Sequence, residues 1–322
     1  MKYSKASSKP FIKWAGGKGQ LLAQLDEHLP QHLSQYEFTY VEPFVGGGAM
    51  LFHMLQKFPN INKVIINDIN PQLITAYKVI KDNPNELIEQ LSQLEKDYII
   101  LDEEEKKSFY LDVRNIFNKE HLNEIERTKF LIFLNRTCFN GLYRVNSKGH
   151  FNVPFGKYSN PTICNSENIL ADSELLNVRD TIILQGDYEE TIKYIDETQA
   201  SFFYFDPPYR PLSATSSFNS YAKETFDDKE QIRLSEFCKK LNSKLGVKWM
   251  LSNSDCSAKN PNDLFFEEIY ADFQIHRVYA SRSINANPSK RGKLTELLIR
   301  NYPQKTFASM VAENVVNYTK NQ

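Results

Sequence analysis

Short apolar runs, each closed by a polar or turn-forming residue, recur along the chain and read as buried strands. Thr39-Tyr40-Val41-Glu42-Pro43-Phe44 leads into the glycine turn Gly46-Gly47-Gly48, and Ala49 to Leu55 then reads as a helix. Lys63 to Asp68 is a second strand, and Pro71 opens another helix at a position proline tolerates. Strand, helix, strand at this spacing is the βαβ unit of a parallel sheet. Thr181 to Leu184, Ser201 to Phe205 and Val247 to Leu251 supply later strands, and Gln274 to Tyr279 and Glu296 to Arg300 read as antiparallel edge strands. Between the second strand and Thr181 the pattern changes. Asn70 to Thr137 reads as successive amphipathic helices. Asn140 to Tyr158, with glycines at 141, 149 and 156 among alternating aromatic and basic residues, reads as a protruding hairpin. This stretch is too long for a simple crossover. The expected division is a discontinuous catalytic domain over 1–70 and 165–303, an insertion over 71–164, and a polar tail over 304–322.

Composition narrows the class without naming a function. With 322 residues, 41% hydrophobic and 25% charged, the chain can bury a full core as one large domain carrying an insertion. No apolar stretch approaches a bilayer span. The polar start Met1-Lys2-Tyr3-Ser4-Lys5 runs into no secretory apolar region, so a cytoplasmic protein is expected. Cys138, Cys164, Cys238 and Cys256 lack CxxC spacing and fit reduced thiols better than a disulfide frame or zinc site. The net charge of −1 neither announces nor excludes nucleic acid, because phosphate contact needs only a local basic face. Arg282 to Lys293 holds four basic residues and no acid, a run that a solvated loop explains equally well.

The chemistry gathers at a few turns. Asp206-Pro207-Pro208-Tyr209 directly follows the strand Ser201 to Phe205, which the prolines cannot continue. A carboxylate, two rigid residues and an aromatic ring thus stand at the carboxyl end of a strand, where open α/β sheets bind ligands. Such a corner can grip a flat base bearing an exocyclic amino group: the carboxylate and a proline carbonyl accept its hydrogens, and the ring stacks on it. Gly46-Gly47-Gly48 departs from GxGxxG because position 51 is leucine. That argues against a dinucleotide pyrophosphate and suits S-adenosylmethionine, a nucleoside with a small amino-acid tail. Asp68, 22 residues after Gly46, can accept from ribose hydroxyls. Lys13-Trp14-Ala15-Gly16-Gly17-Lys18 is a second glycine turn without the GxxxxGK[ST] frame. There Lys18 could meet the cofactor carboxylate, and Trp14 could close over the methionine portion. An ordinary tight turn explains either glycine turn alone; the two together with Asp68 and Asp206 outweigh that reading.

At these residues the chain resembles the Dam-type (D12 class) DNA adenine-N6 methyltransferases, which modify GATC using S-adenosylmethionine. The likeness runs from Phe11 to Tyr302 and includes the KWAGGK turn, Val41 to Gly48, Asn67-Asp68-Ile69-Asn70, Asn140 to Asn146, Phe151 to Gly156 and Asp206 to Tyr209. It implies a Rossmann-like mixed α/β sheet with an inserted helical and hairpin target-recognition domain, S-adenosylmethionine as methyl donor, no metal, and double-stranded DNA as partner of a monomeric enzyme. By resemblance Trp14, Lys18, Phe44, Gly46, Gly48, Asp68 and Asp206 line the cofactor pocket, and Asp206, Pro207, Pro208 and Tyr209 form the catalytic corner. The target adenine lies inside the duplex and has to be extruded, and Arg210 to Phe218 could order around it.

The hairpin carries the DNA-reading expectation. Arg144 can bond guanine O6 and N7, and Leu142 and Pro154 can touch a thymine methyl. Phe139 could wedge into the stack beside Asn140, Tyr158 could contact phosphate, and Lys13 is carried over as a contact to an outer guanine. Related enzymes hold an aromatic before Asn-Gly-Leu; phenylalanine here can insert but cannot hydrogen-bond. Packing of the hairpin is the alternative for Phe139 and Leu142. Rival functions are amino methylation of cytosine N4, RNA or a protein glutamine, and a catalytically silent nucleic-acid-binding module. Intact Asp206, Asp68 and both glycine turns weigh against the silent module, and the hairpin weighs against a protein substrate. Restriction-modification and a solitary role in repair or replication timing both stay open.

Overall fold

The apolar runs assemble into one seven-stranded mixed sheet in the order β3-β2-β1-β4-β5-β7-β6. Residues 8–212, 226–281 and 293–303 are described by the computed structural model. In chain order the elements are α1 (Leu22–Glu27), β1 (Phe38–Glu42), α2 (Ala49–Lys57), β2 (Ile61–Asp68), α3 (Pro71–Asp82), α4 (Pro84–Ile99), α5 (Glu103–Lys119), α6 (Glu124–Thr137) and α7 (Ser166–Asn177). There follow β3 (Asp180–Gln185), β4 (Ser201–Phe205), α8 (Asp228–Asn242), β5 (Val247–Ser254), α9 (Phe265–Ile269), β6 (Gln274–Ser281) and β7 (Lys293–Arg300). The first five strands of the sheet order run parallel.

Alternation along these strands builds two cores, because successive side chains point to opposite faces. Tyr40, Phe202, Tyr204, Met250 and Leu298 face one cluster, which continues through α2 and α3 into Leu87, Tyr110 and Phe133 of α4, α5 and α6. Val41, Phe203, Phe205, Leu251 and Leu297 face the other, closed by Leu234, Phe237 and Leu241 of α8 and Phe266 of α9. Helices thus cover both faces, which is why β1 and β4 are buried at every position.

One expectation for the last strands is corrected. Gln274 to Tyr279 does form the edge strand β6, but β7 lies inside the sheet, antiparallel to both β5 and β6. Leu298 pairs with Ser252 on one side and His276 on the other. The apolar run Leu297-Leu298-Ile299 is buried on both faces and finds that environment only between two strands.

The helices between β2 and α7 start where their caps dictate. Asn70 accepts from Gln72 N and Leu73 N ahead of Pro71, while Asp102 with Glu105 and Asn123 with Glu126 form capping boxes. The expected hairpin is a looped pair of arms rather than a ladder, joined by isolated bridges Cys138↔Phe155 and Val145↔Phe151. Left-handed Asn140 (φ 57°) and Gly141 (φ 62°) bend the first arm. Helix α5 satisfies the second arm instead: Tyr110 donates to Val153 O (2.7 Å) and Asn118 to Phe151 O (2.9 Å). The residues 213–218, 282–292 and 304–322, on which parts of the loop, basic-run and tail expectations fall, lie outside the described residues.

Helix α7 holds a fully buried carboxyl, Asp172, that accepts from the Ser8 hydroxyl and from Asn168 Nδ2 (2.9 Å). Burial pushes its pKa up to about 8 from an ordinary 3.8, against the lowering effect of those two bonds. The folded chain therefore keeps a proton that the unfolded chain releases, and stability falls as pH rises through that window. Asp172→Asn removes the titration. Its melting temperature relative to wild type is expected to climb between about pH 5 and pH 8 in thermal denaturation; a constant difference would refute the assignment.

Candidate active site

The strand order reverses between β1 and β4. From β1 the chain builds outward to β2 and β3, and from β4 it builds the other way to β5. At such a switch point the loops leaving neighbouring strands diverge and open a crevice at their carboxyl ends. The glycine turn leaves β1 there, Asp206 leaves β4, and Asp68 and Ser254 end β2 and β5 on the same edge.

On the β1 side, main chain meets carboxylate. Gly46 N donates to Asp68 Oδ2 (3.1 Å), Asn70 N donates to Oδ1 (2.9 Å), and the Gly46 carbonyl accepts from the Tyr77 hydroxyl (3.0 Å). Burial raises the Asp68 pKa against these amide bonds. Trp14 lies over the turn so closely that a Cβ added to Gly47 would stand 2.9 Å from Trp14 Cβ. Gly48 (φ 80°) then caps α2 in a conformation that side chains resist. Ile69, beside Asp68, is 76% exposed and offers an apolar face. Phe44 belongs to the core packed on α8, its ring 5.1 Å from Tyr188 and 6.5 Å from Phe205.

On the β4 side a lysine from the other glycine turn fills the corner. Lys18 is only 5% exposed; its Nζ lies 2.8 Å from Asp206 Oδ1 and donates to Gly16 O (3.0 Å). The same ammonium sits 4.4 Å from the centre of the Tyr209 ring, a cation–π contact. The Tyr209 hydroxyl donates to Glu296 Oε2 (2.7 Å), which is 4.0 Å from Lys18 Nζ. Burial raises the Asp206 pKa, Lys18 pulls it back down, and Glu296 adds to the rise. Gln231 Nε2 donates to the Pro208 carbonyl (2.9 Å), whereas among the described residues no donor reaches the Pro207 carbonyl. Asn253 closes this frame, accepting from Arg210 N (3.2 Å) and donating to Gln231 Oε1 (3.0 Å).

The expected DNA-reading residues stand on the two arms of the hairpin, with Lys13 beside its Tyr158. Phe139 and Leu142 are 53% and 39% exposed, so neither is used up in packing the hairpin. Arg144 is exposed and steadied by Asn152, with Nε donating to its side chain (2.7 Å) and an NH2 to its carbonyl (3.2 Å). Asn140 and Pro154 are exposed, and the Lys13 ammonium lies 5.5 Å from the Tyr158 ring.

Sequence reasoning passed over four residues of this site: Glu42, Glu296, Gln231 and Tyr143. Glu42 ends β1 at 2% exposure and accepts from the Tyr40 hydroxyl (2.7 Å); burial raises its pKa well above the ordinary range, and nearby Asp206 adds to the rise. Glu296, the one acid in the strand Lys293–Arg300, left a signal as a charge within an apolar run. Gln231 and Tyr143 left none, because a glutamine on a polar helix and a tyrosine in an aromatic loop are unremarkable until the partners are known. Among the described residues no three His, Cys, Asp or Glu side chains converge as a metal site, and no helix is long and apolar enough to cross a membrane.

Comparison with known proteins agrees with this chemistry. The profile of the D12 class N6 adenine-specific DNA methyltransferases matches residues 14–284. The chain is 51% identical over 299 residues to the Type II methyltransferase M.MjaIII of Methanocaldococcus jannaschii, covering 91% of this chain and 99% of that one. It is 41% identical to the Type II methyltransferase M1.LlaDCHI of Lactococcus lactis subsp. cremoris, covering 93% and 97%. It is also 32% identical to the DNA adenine methylase of Haemophilus influenzae, covering 91% and 94%.

Removing the Lys18 ammonium should expose what burial alone does to Asp206. In Lys18→Met the Asp206 pKa is expected to rise further above the ordinary carboxylate range, since the lost cation was the group favouring ionisation. A carbon-13 carboxyl NMR titration, assigned with Asp206→Asn, reads this directly. An unmoved or lowered midpoint would count against the pair.

Proposed function

This chain belongs to the D12 class N6 adenine-specific DNA methyltransferases, and we propose that its target is the adenine of double-stranded GATC, methylated after extrusion from the duplex. As a member it transfers methyl from S-adenosylmethionine to adenine N6 in DNA, on a seven-stranded mixed α/β sheet consistent with the Rossmann-like fold of such enzymes. The observation that carries the reading of the corner is the asymmetry of its two proline carbonyls: Pro208 O is engaged by Gln231, while Pro207 O stands free among the described residues beside the Asp206 carboxylate.

The residues fit the cofactor. Asp68 is held by backbone amides and, among the described residues, meets no cation, leaving acceptor capacity for ribose hydroxyls. Main-chain groups of Gly46 and Gly48 border the same turn, with Phe44 packed behind it and Trp14 lying over it, whereas Lys18, expected to meet the cofactor carboxylate, is instead paired with Asp206 in this structure. S-adenosylmethionine supplies a methyl group already activated on a sulfonium.

The protein's part is geometric and electrostatic. Adenine N6 is a weak nucleophile because its lone pair is delocalised into the ring. Asp206 and the Pro207 carbonyl accept its two hydrogens, localise the lone pair and stabilise the positive charge that develops on N6. Tyr209 stacks on the base, and Pro208 keeps the main chain rigid. Orientation of N6 for in-line attack supplies much of the acceleration.

Residues 71–164 act in this reading as the target-recognition unit, with Lys13, Phe139, Asn140, Leu142, Arg144, Pro154 and Tyr158 against DNA. Exposure of Phe139 and Leu142 supports it, since contact residues have to be free to touch the groove. The two Type II methyltransferase names fit a modification role in a restriction-modification system, and the reading takes the enzyme as a cytoplasmic monomer.

Tritiated methyl transfer to duplexes differing at one base of GATC tests the target, with incorporation expected only into the intact sequence and only at adenine. Equal incorporation into the altered duplexes, or methylation of cytosine, would overturn it. Arg144→Ala should relax discrimination at one guanine by about 1–3 kcal/mol, read as the ratio of kcat/KM for the two duplexes. An unchanged ratio would remove Arg144 from base reading.

A further inference from the structure

The cofactor turn and the DNA-facing hairpin are built as one unit, although they lie more than a hundred residues apart in the chain. Asn135, 1% exposed near the end of α6, grips both: Lys13 N donates to its Oδ1 (2.8 Å), and its Nδ2 donates to Lys13 O (2.8 Å) and Gly141 O (3.0 Å). A side chain on Gly141 would overlap that of Lys13, so only glycine lets the two segments come this close. Just beyond these contacts, one residue along the first segment and two along the second, Trp14 and Tyr143 stack, with ring centroids 5.0 Å apart and planes 26° from parallel. Burial raises the pKa of the Tyr143 hydroxyl. Its neighbours in sequence are Leu142 and Arg144, both exposed.

Tyr143 therefore joins what faces DNA to what faces the cofactor. Its ring supports the back of Trp14, whose own position over Gly47 shapes the glycine turn. A shift of Leu142 or Arg144 on seating in a groove would pass through one peptide step to Tyr143, and from there to the Trp14 ring stacked on it.

We propose that Tyr143 is a positioning residue that couples DNA recognition to cofactor binding, so that the hairpin seated on its duplex and the filled pocket stabilise each other. The proposal rests on the assignment of the hairpin to DNA. Coupling of this kind is reciprocal: whatever factor DNA adds to cofactor affinity, the cofactor adds to DNA affinity.

The test is calorimetric titration of S-adenosylhomocysteine into the full chain, alone and with the duplex that the wild type methylates. Wild type should bind at least about fivefold more tightly in the presence of duplex. Tyr143→Leu should bring that ratio close to one. Tyr143→Phe, which keeps the ring stack, should keep most of that ratio. A merely structural role would lower both affinities together and leave the ratio alone. A wild-type ratio of one, or a Tyr143→Leu ratio equal to that of wild type, would overturn the proposal. If the leucine variant does not fold, Tyr143→Met, which also removes the ring stack, decides, and an undiminished ratio counts against the proposal. Methyl transfer to adenine, followed in parallel with S-adenosylmethionine on the same protein preparations, keeps the two claims apart. Failure of the wild type to methylate any adenine duplex would sink the functional reading, whereas normal transfer with unchanged coupling would sink only this one.

Discussion

The contact between the Lys18 ammonium and the Asp206 carboxylate joins the amino-terminal turn to the end of the central strand β4, and the working geometry of the crevice follows from it. A carboxylate drawn to the end of a fully buried strand is pushed toward its neutral form, and a close cation is the means of keeping it charged. The same cation lies on the Tyr209 ring and near Glu296, so four groups from three parts of the chain share one electrostatic arrangement. An acceptor for a weakly nucleophilic amine has to be both charged and poorly solvated, and this arrangement provides both.

Support for that corner comes from neutral groups. Gln231 and Asn253, both fully buried, fix the main chain at Pro208 and Arg210. Each spends its amide on backbone or on the other amide. Buried polar groups satisfied in this way hold a unique geometry, because any displacement leaves a donor or acceptor unpaired. The glycine turn on the β1 side is held similarly, by Asp68, Tyr77 and the covering Trp14. The crevice is thus held by buried polar bonds, while Phe139, Leu142 and Arg144 of the hairpin remain exposed.

Much of this was legible from local pattern. The buried strands, the glycine turns, the proline stop after Asp206 and the helical stretch between β2 and β3 all follow from periodicity and from what glycine and proline permit. The seven strands lie close to their expected positions because each is an apolar run bounded by turn residues. The interior place of β7 was not legible, since alternation reports a strand and its faces but not which neighbours it takes. The looped form of the hairpin was equally hidden: its second arm satisfies its carbonyls with Tyr110 and Asn118 of a helix rather than with a partner strand.

Sequence by itself determined the chemical groups and the strand ends on which they stand, because Asp206, Asp68 and the glycine turns are local in the chain and the prolines and glycines around them admit few conformations. Tertiary structure alone decided their partners. Lys18 on Asp206, Glu296 on Tyr209, Gln231 on Pro208 and Tyr143 on Trp14 are contacts between residues distant in sequence. They exist because the strand order reverses between the parallel strands β1 and β4 and brings several loops to one edge. No local preference encodes such a meeting; it is set when the two cores close on the sheet.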